Sequence, residues 1–296
     1  MREIGSTNKL NRARNALLDD RWNAFSAPLL LPLSHYGMFP PLHRACFCKI
    51  ILAASIAGLA ANGAQASSVV LRGHDPLGAH SFDSTVAAPR GWNNDAAPSA
   101  GNDYFTGPFQ MRTPTGTAPS DFAGASLSID AGGSLLFKGS GIYTVDNLIL
   151  NGGALLHGDT GIAAPNNIAT LAGNITVNAP SSIDTTSAVN RIITINSAIH
   201  GSGGLTISGT NGAVNFTNTG NDFTGPLTLA GSSPLVVPAV SNGGIPGPVG
   251  AANANATNLV FNGGRLRING GSASSTDRLF TPVSYTHLTL PTKRIV

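Results

Sequence analysis

Cysteine is nearly missing from this chain of 296 residues: only Cys46 and Cys48 occur. From Ser67 onward there is none, which excludes a disulfide framework and a cysteine metal site there. Glutamate occurs once, at Glu3, so the commonest general acid of glycoside chemistry is missing from the rest. Helical periodicity is also lacking. Outside Ile50–Ala61 no apolar stripe at i, i+3, i+4, i+7 outlasts one turn, and the density of Gly and Pro disfavours helices. The apolar run Ile50–Ala61 is too short to span a bilayer. No nucleophile elbow, HExxH, P-loop or dinucleotide fingerprint stands in a usable context. Gly201-x-Gly203-Gly204 is no phosphate cradle, since no helix follows it. Charge is sparse as well. The whole chain is formally +3, yet Ser67–Thr281 carries eight Lys and Arg against eleven Asp. The basic balance comes from the two ends and gives no reason to expect nucleic acid or an anionic membrane as a partner.

The ends read as separate from the fold. Arg44 and Lys49 precede the short apolar run, and small residues follow it up to Ala64-Gln65-Ala66. Basic segment, apolar segment and an A-x-A site in that order predict a secretory signal peptide at 38–66, cut between Ala66 and Ser67. Met38 gives that signal an ordinary length and leaves 1–37 as an upstream extension; a long signal peptide is the alternative. At the other end, VSYTHLTLPT at Val283–Thr292 resembles a translated sequencing-library adapter. Residues 282–296 are therefore set apart as a scar, with a short C-terminal strand as the alternative, and the natural protein is expected to continue past Thr281 with more rungs.

What the middle has is alternation. Leu205/Ile207, Val214/Phe216 and Leu227/Leu229 are apolar pairs one residue apart, with Gly, Asn, Thr and Ser between them. Such alternation turns one strand face inward, and the Gly/Asn clusters turn the chain. Further strands are read at Leu127–Ile129, Leu135–Phe137, Leu148–Leu150, Ile175–Val177, Ile193–Ile195 and Leu259–Phe261, several followed by Gly-Gly. Asn147–Leu155 and Asn258–Leu266 share one template: Asn, Leu, two apolar residues, Asn, Gly, Gly, any residue, Leu. A β-sandwich would need strands of roughly five to six residues. Short strands with frequent turns fit a right-handed parallel β-helix better, all-β, in loose units of about 20 residues stacked roughly 4.8 Å apart. Residues 125–281 would supply about seven rungs on that spacing, and 67–124 an irregular N-terminal cap. The inward set is Leu148, Leu150, Ile175, Val177, Ile193, Ile195, Leu205, Ile207, Val214, Phe216, Leu227 and Leu229. Leu266 and Ile268 should lie at an open edge.

Gly201–Leu229 resembles the autotransporter-associated β-strand repeat. The matching positions are Gly201, Gly203, Gly204, Leu205, Thr206, Ser208, Gly209, Asn221, Phe223, Thr224 and Gly225. Thr276–Thr281 is similar to the segment that follows an N-L-V-x-N-G-G strand in that family. Ile207 departs from the pattern, where the family usually has Lys. Pro226, Pro234 and Pro238 depart too, and point to bulges or an outward loop near 231–250. The resemblance implies an exported surface protein of a Gram-negative-type envelope, a passenger acting in adhesion or display, located at the cell surface, outer membrane or outside the cell. Its partners would be host or environmental surface glycans or proteins, with a membrane reached only through a downstream anchor. No family catalytic residue carries over, so the expectation is no catalysis and no cofactor or metal.

The alternative function is a carbohydrate-active β-helix enzyme. Its candidate residues are Asp130, Asp146, Asp159 and Asp184 on neighbouring rungs, with Lys138 and Arg191 nearby. His74, Asp75 and His80 are the nearest approach to a metal cluster and read as exposed loop residues. Trp92, Tyr104 and Phe105 are either a carbohydrate-stacking patch or part of the cap.

Overall fold

The computed structural model describes residues 66–82, 91–158, 167–185, 190–271 and 273–283. All of these belong to the second of two units into which the chain divides, Ala60–Val296. Ala64 and the rest of the expected signal segment through Gln65, the candidate Asp159, and residues 284–296 lie outside the described residues.

Short alternating segments become strands, and every ladder between them is parallel. One sheet contains β1 (Ser67–Val70), β2 (Asn102–Phe105), β4 (Ser120–Asp121), β5 (Ser126–Asp130), β7 (Ile142–Asn151) and β9 (Asn167–Ala179). It continues with β11 (Arg191–Ile195), β12 (Ala198–Gly201), β14 (Ala213–Phe216), β16 (Pro234–Val237) and β18 (Arg265–Ile268). The other sheet contains β3 (Gln110–Arg112), β6 (Ser134–Phe137), β8 (Ala154–His157) and β10 (Ser181–Asp184). It ends with β13 (Leu205–Ser208), β15 (Leu227–Ala230), β17 (Leu259–Asn262) and β19 (Thr281–Pro282). The molecule is a parallel β-solenoid of about seven turns, and the sandwich alternative falls. Parallel pairing begins at β1, so the segment read as an irregular cap already carries rung strands.

The first sheet serves two faces of the rung. Ile142–Val145 of β7 pairs with Thr170–Gly173, whereas Asn147–Leu150 pairs with Asn174–Val177, and the register breaks at Asp146 between them. One rung later the two halves of β9 pair with separate strands, β11 and β12. The second sheet forms the third face. The shared Asn-Gly-Gly template does not mark one corner. In Asn147–Leu155 it leads from β7 to β8, out of the first sheet; in Asn258–Leu266 it leads from β17 to β18, back into it. The turn chemistry specifies a corner, and the backbone of one corner is served by the same residues as another.

All twelve residues expected to point inward are buried, none more than 1 % exposed. Register explains the columns: Leu127, Leu148 and Ile175 stack through successive rungs, as do Leu205, Leu227 and Leu259. Each such side chain contributes on the order of 1.5–3 kcal/mol on full burial. A single rung cannot offset its ordering entropy, so stability resides in the stack.

The N-terminal end is closed by aromatics. Phe82, Trp92, Tyr104, Phe122, Phe137 and Tyr143 are buried, with ring centroids 4.7 Å apart for Trp92–Tyr104 and 5.2 Å for Tyr104–Phe122. The Trp92 indole donates to Ser81 O at 2.9 Å. Trp92 and Tyr104 are fully buried and Phe105 is half-buried, so the three form no surface stacking patch. The cap reading accounts for the first two. The strand edges at this end are also occupied. Asn93 and Val70 exchange hydrogen bonds on β1. On β3, His74 Nδ1 accepts from Gln110 N and Asp75 from Arg112 N.

Pro234 does not open a loop. It is the first residue of β16, where a missing N–H is tolerated. The excursion instead runs from Pro238 to the start of β17 at Leu259. It is clamped by Arg278, which is 9 % exposed. The guanidinium donates to the carbonyls of Ser241, Asn242, Gly250 and Ala252 at 2.8–3.3 Å. Asp277 accepts from Gly243 N at 2.7 Å. Burial holds the pKa of Arg278 below its ordinary value, opposed by the charge of Asp277. Thr276–Thr281 thus ties down a long rung. Replacing Arg278 with Gln should cost about 2 kcal/mol in urea unfolding, from buried carbonyls left unpaired. Lysine should not restore the loss, because one ammonium lacks the planar fork that spans these carbonyls.

Candidate functional site

The repeat-motif residues assemble into stacked corners. Gly201 has φ +100°, and a Cβ there would lie 2.3 Å from Val177 O of the rung before. A Cβ on Gly225 would lie 2.0 Å from Gly203 O. Thr224 N donates to Gly201 O at 2.8 Å, one rung back. Gly203, Gly204 and Gly209 also lie against neighbouring turns, and Leu205 and Phe223 fill the interior. Thr206 alternates with them and faces out. Asn221 is wholly buried. Its Oδ1 accepts from Ile199 N at 3.0 Å, and its Nδ2 donates to Pro248 O at 3.0 Å and Asn218 O at 3.2 Å. The motif thus spaces and staples rungs.

The surface beside these corners is open. A groove of about 530 Å³ runs along the third face, lined by the Gly132-Gly133 and Gly152-Gly153 turns with Ser134, Leu156, Ser182 and Thr206. None of its lining residues is ionisable. Register extends the lining into a column: Ala154, Ser182, Thr206, Thr228 and Val260 are successive partners, all half-buried. Hydroxyls recur there at about the rung spacing of 4.8 Å. Such a surface offers neutral donors and acceptors to hydroxyl or amide groups, with Asp184 beside it on the same outward face of β10.

The carboxylates considered for catalysis have separate surroundings. Asp130 accepts from Gly107 N at 2.9 Å and Ser128 Oγ at 2.7 Å, which fixes a turn. Asp184 accepts from Ser208 Oγ at 2.8 Å. Asp146 is exposed at the bend of β7. Lys138 and Arg191 are buried, 7 % and 5 % exposed. Asp75 is not an exposed loop residue: it is 4 % exposed and accepts from Ser81 N, Ser81 Oγ and Arg112 N. Among the described residues no three His, Cys, Asp or Glu side chains are grouped to hold a metal ion. No described helix is long and apolar enough to cross a membrane.

Of the cleavage residues, Ala66 is half-buried and Ser67 opens β1, its N donating to Gly101 O at 3.3 Å. Thr281 and Pro282 pair with β17 as β19, and Val283 N donates to Phe261 O at 2.8 Å. One pair escaped the sequence reading. His200 Nδ1 and Asp222 Oδ1 are 2.6 Å apart on neighbouring rungs, both half-exposed. The rung spacing around them, seen in Leu205 and Leu227, was the available signal. No family model matches the chain, and no curated protein or solved structure matches it.

Proposed function

We propose that the chain is an exported, surface-displayed β-helical passenger whose role is adhesion or display through its third face, without catalysis. The observation that carries this reading is the groove free of ionisable side chains, continued by the column Ser182, Thr206 and Thr228. Regularly spaced hydroxyls on a stiff scaffold suit neutral, repetitive partners such as surface glycans, each contact weak and the sum strengthened by repetition. The signal-like segment ending at Ala66 supports export, and the first strand among the described residues begins at the residue after it.

Expression in a Gram-negative host with its native export system tests the reading. The chain recovered outside the cytoplasm should begin at Ser67. Beads coated with that mature protein should adhere to surfaces bearing neutral glycans, and Thr206→Arg, which places a cation in the column, should remove the adherence. An intact Met1 or Met38 terminus outside the cytoplasm overturns the export reading. Adherence equal to that of uncoated beads overturns the adhesive one.

A further inference from the structure

The sequence contains three Asn-x-Thr triplets: Asn174-Ile175-Thr176, Asn215-Phe216-Thr217 and Asn255-Ala256-Thr257. This pattern is the acceptor of N-linked glycosylation. The fold treats the three differently. Asn174 lies in β9, paired on one side with Asn147 and on the other with Ala198, and its Nδ2 donates to Asp146 O at 3.3 Å. Asn215 lies in β14 between Thr194 and Val236, and its Nδ2 donates to Thr194 Oγ1 at 3.3 Å. Neither triplet can enter an enzyme cleft without unpairing its rung from both neighbours.

Asn255 is exposed, on the excursion between β16 and β17 and outside every strand ladder, where it caps a single 3-10 turn at Ala256–Asn258. Its Oδ1 accepts from Thr257 N and from Thr257 Oγ1, both at 3.1 Å. Its Nδ2 donates to no group among the described residues. The amide nitrogen that must react therefore points into solvent, while the carbonyl oxygen is engaged by the threonine that defines the triplet. The loop around it is anchored: Thr281 Oγ1 donates to Ala256 O at 2.8 Å.

We infer that Asn255 is a glycan acceptor of the folded protein, and the only one of the three triplets available in that state. The donor class is a sugar activated as a nucleoside or lipid diphosphate. The Asn255 Nδ2–C1 bond forms, the C1–O bond to the diphosphate breaks, and its electron pair leaves on the diphosphate oxygen. One amide proton passes to a base of the transferase, and nothing is oxidised or reduced. This inference stands apart from the adhesive reading, because it concerns a different surface and a different chemistry.

The test incubates the folded 296-residue chain with UDP-glucose and a purified glycosyltransferase specific for Asn-x-Ser/Thr, followed by intact mass and peptide mapping. The expected product carries one hexose, mapped to Asn255. Asn255→Gln and Thr257→Ala should each abolish it, and Thr257→Ser should retain it, with circular dichroism showing each variant folded. After denaturation in urea and dilution into the assay, Asn174 and Asn215 should accept hexose as well. A folded chain left unmodified at Asn255 overturns the inference, whether or not the denatured chain reacts. So does modification of Asn174 or Asn215 in the folded chain at the rate of Asn255.

Discussion

Replacing Ile195 with aspartate is expected to destabilise the solenoid by several kcal/mol, enough to leave much of the chain unfolded at room temperature. Ile195 ends β11, is fully buried, and stacks between Leu171 and Phe216 of the rungs on either side. The substitution removes about 1.5–3 kcal/mol of aliphatic burial. It also places a carboxylate among apolar neighbours, where it must be desolvated unpaired or take up a proton. Both costs fall on a position whose two neighbours depend on it for stacking. Thr194→Asp, one residue away on the outward side and half-buried, should cost less than about 1 kcal/mol, in the range of surface changes. Thermal and urea unfolding followed by circular dichroism measures both. Equal midpoints for Ile195→Asp and the parent would show that the inward column is misassigned.

Asn221→Ala should cost about 3 kcal/mol or more, an unusually large effect for a polar residue in a turn. The side chain is the sole hydrogen-bond bridge joining Ile199 N, Asn218 O and Pro248 O in the described structure. Truncation leaves one buried N–H and two carbonyls without it, at about 1–3 kcal/mol for each group that finds no water. Asn221→Asp should be nearly as damaging. It keeps the acceptor for Ile199 N but turns a charged oxygen toward two carbonyls. Urea unfolding gives the magnitude, and hydrogen exchange gives the place: the Ile199 amide should lose protection first. A cost below about 1 kcal/mol would mean that the motif asparagine serves the turn conformation alone.

Most of the fold was legible because a period of two is a local signal. Leu205/Ile207, Val214/Phe216 and Leu227/Leu229 announce inward pairs without knowledge of their partners, and all six are buried. The early rungs were less legible because each strand there contributes one buried side chain. Val69 in β1, Tyr104 in β2 and Met111 in β3 are single buried positions, and the first two are followed by the outward apolar residues Val70 and Phe105, so no alternation shows. Rung length hid the rest. Leu135 pairs with Leu155, but Leu227 pairs with Leu259, because the Pro238 excursion is inserted between them. An uneven period conceals cross-rung pairs such as His200–Asp222. It also conceals which corner each Asn-Gly-Gly turn serves. Gly201, Gly203 and Gly225 could be read as turn residues, yet the work of Asn221 depends on Pro248, which a loop brings back from 27 residues away. The groove on the third face was invisible for a plainer reason: small hydroxyl residues are ordinary strand and turn composition, and only register aligns them.

The two ends of the described stack differ, and the difference gives it a polarity. At the first rung the aromatic cluster and the side chains of Asn93, His74 and Asp75 occupy what would otherwise be open edges. At the last described rung Ile268, Leu279, Phe280 and Val283 remain exposed, and no described strand follows β18 or β19. In a linear array where each unit is held by its neighbours, folding can start at any rung and spread, so the closed first described rung spares that end an unpaired neighbour without setting an order of events.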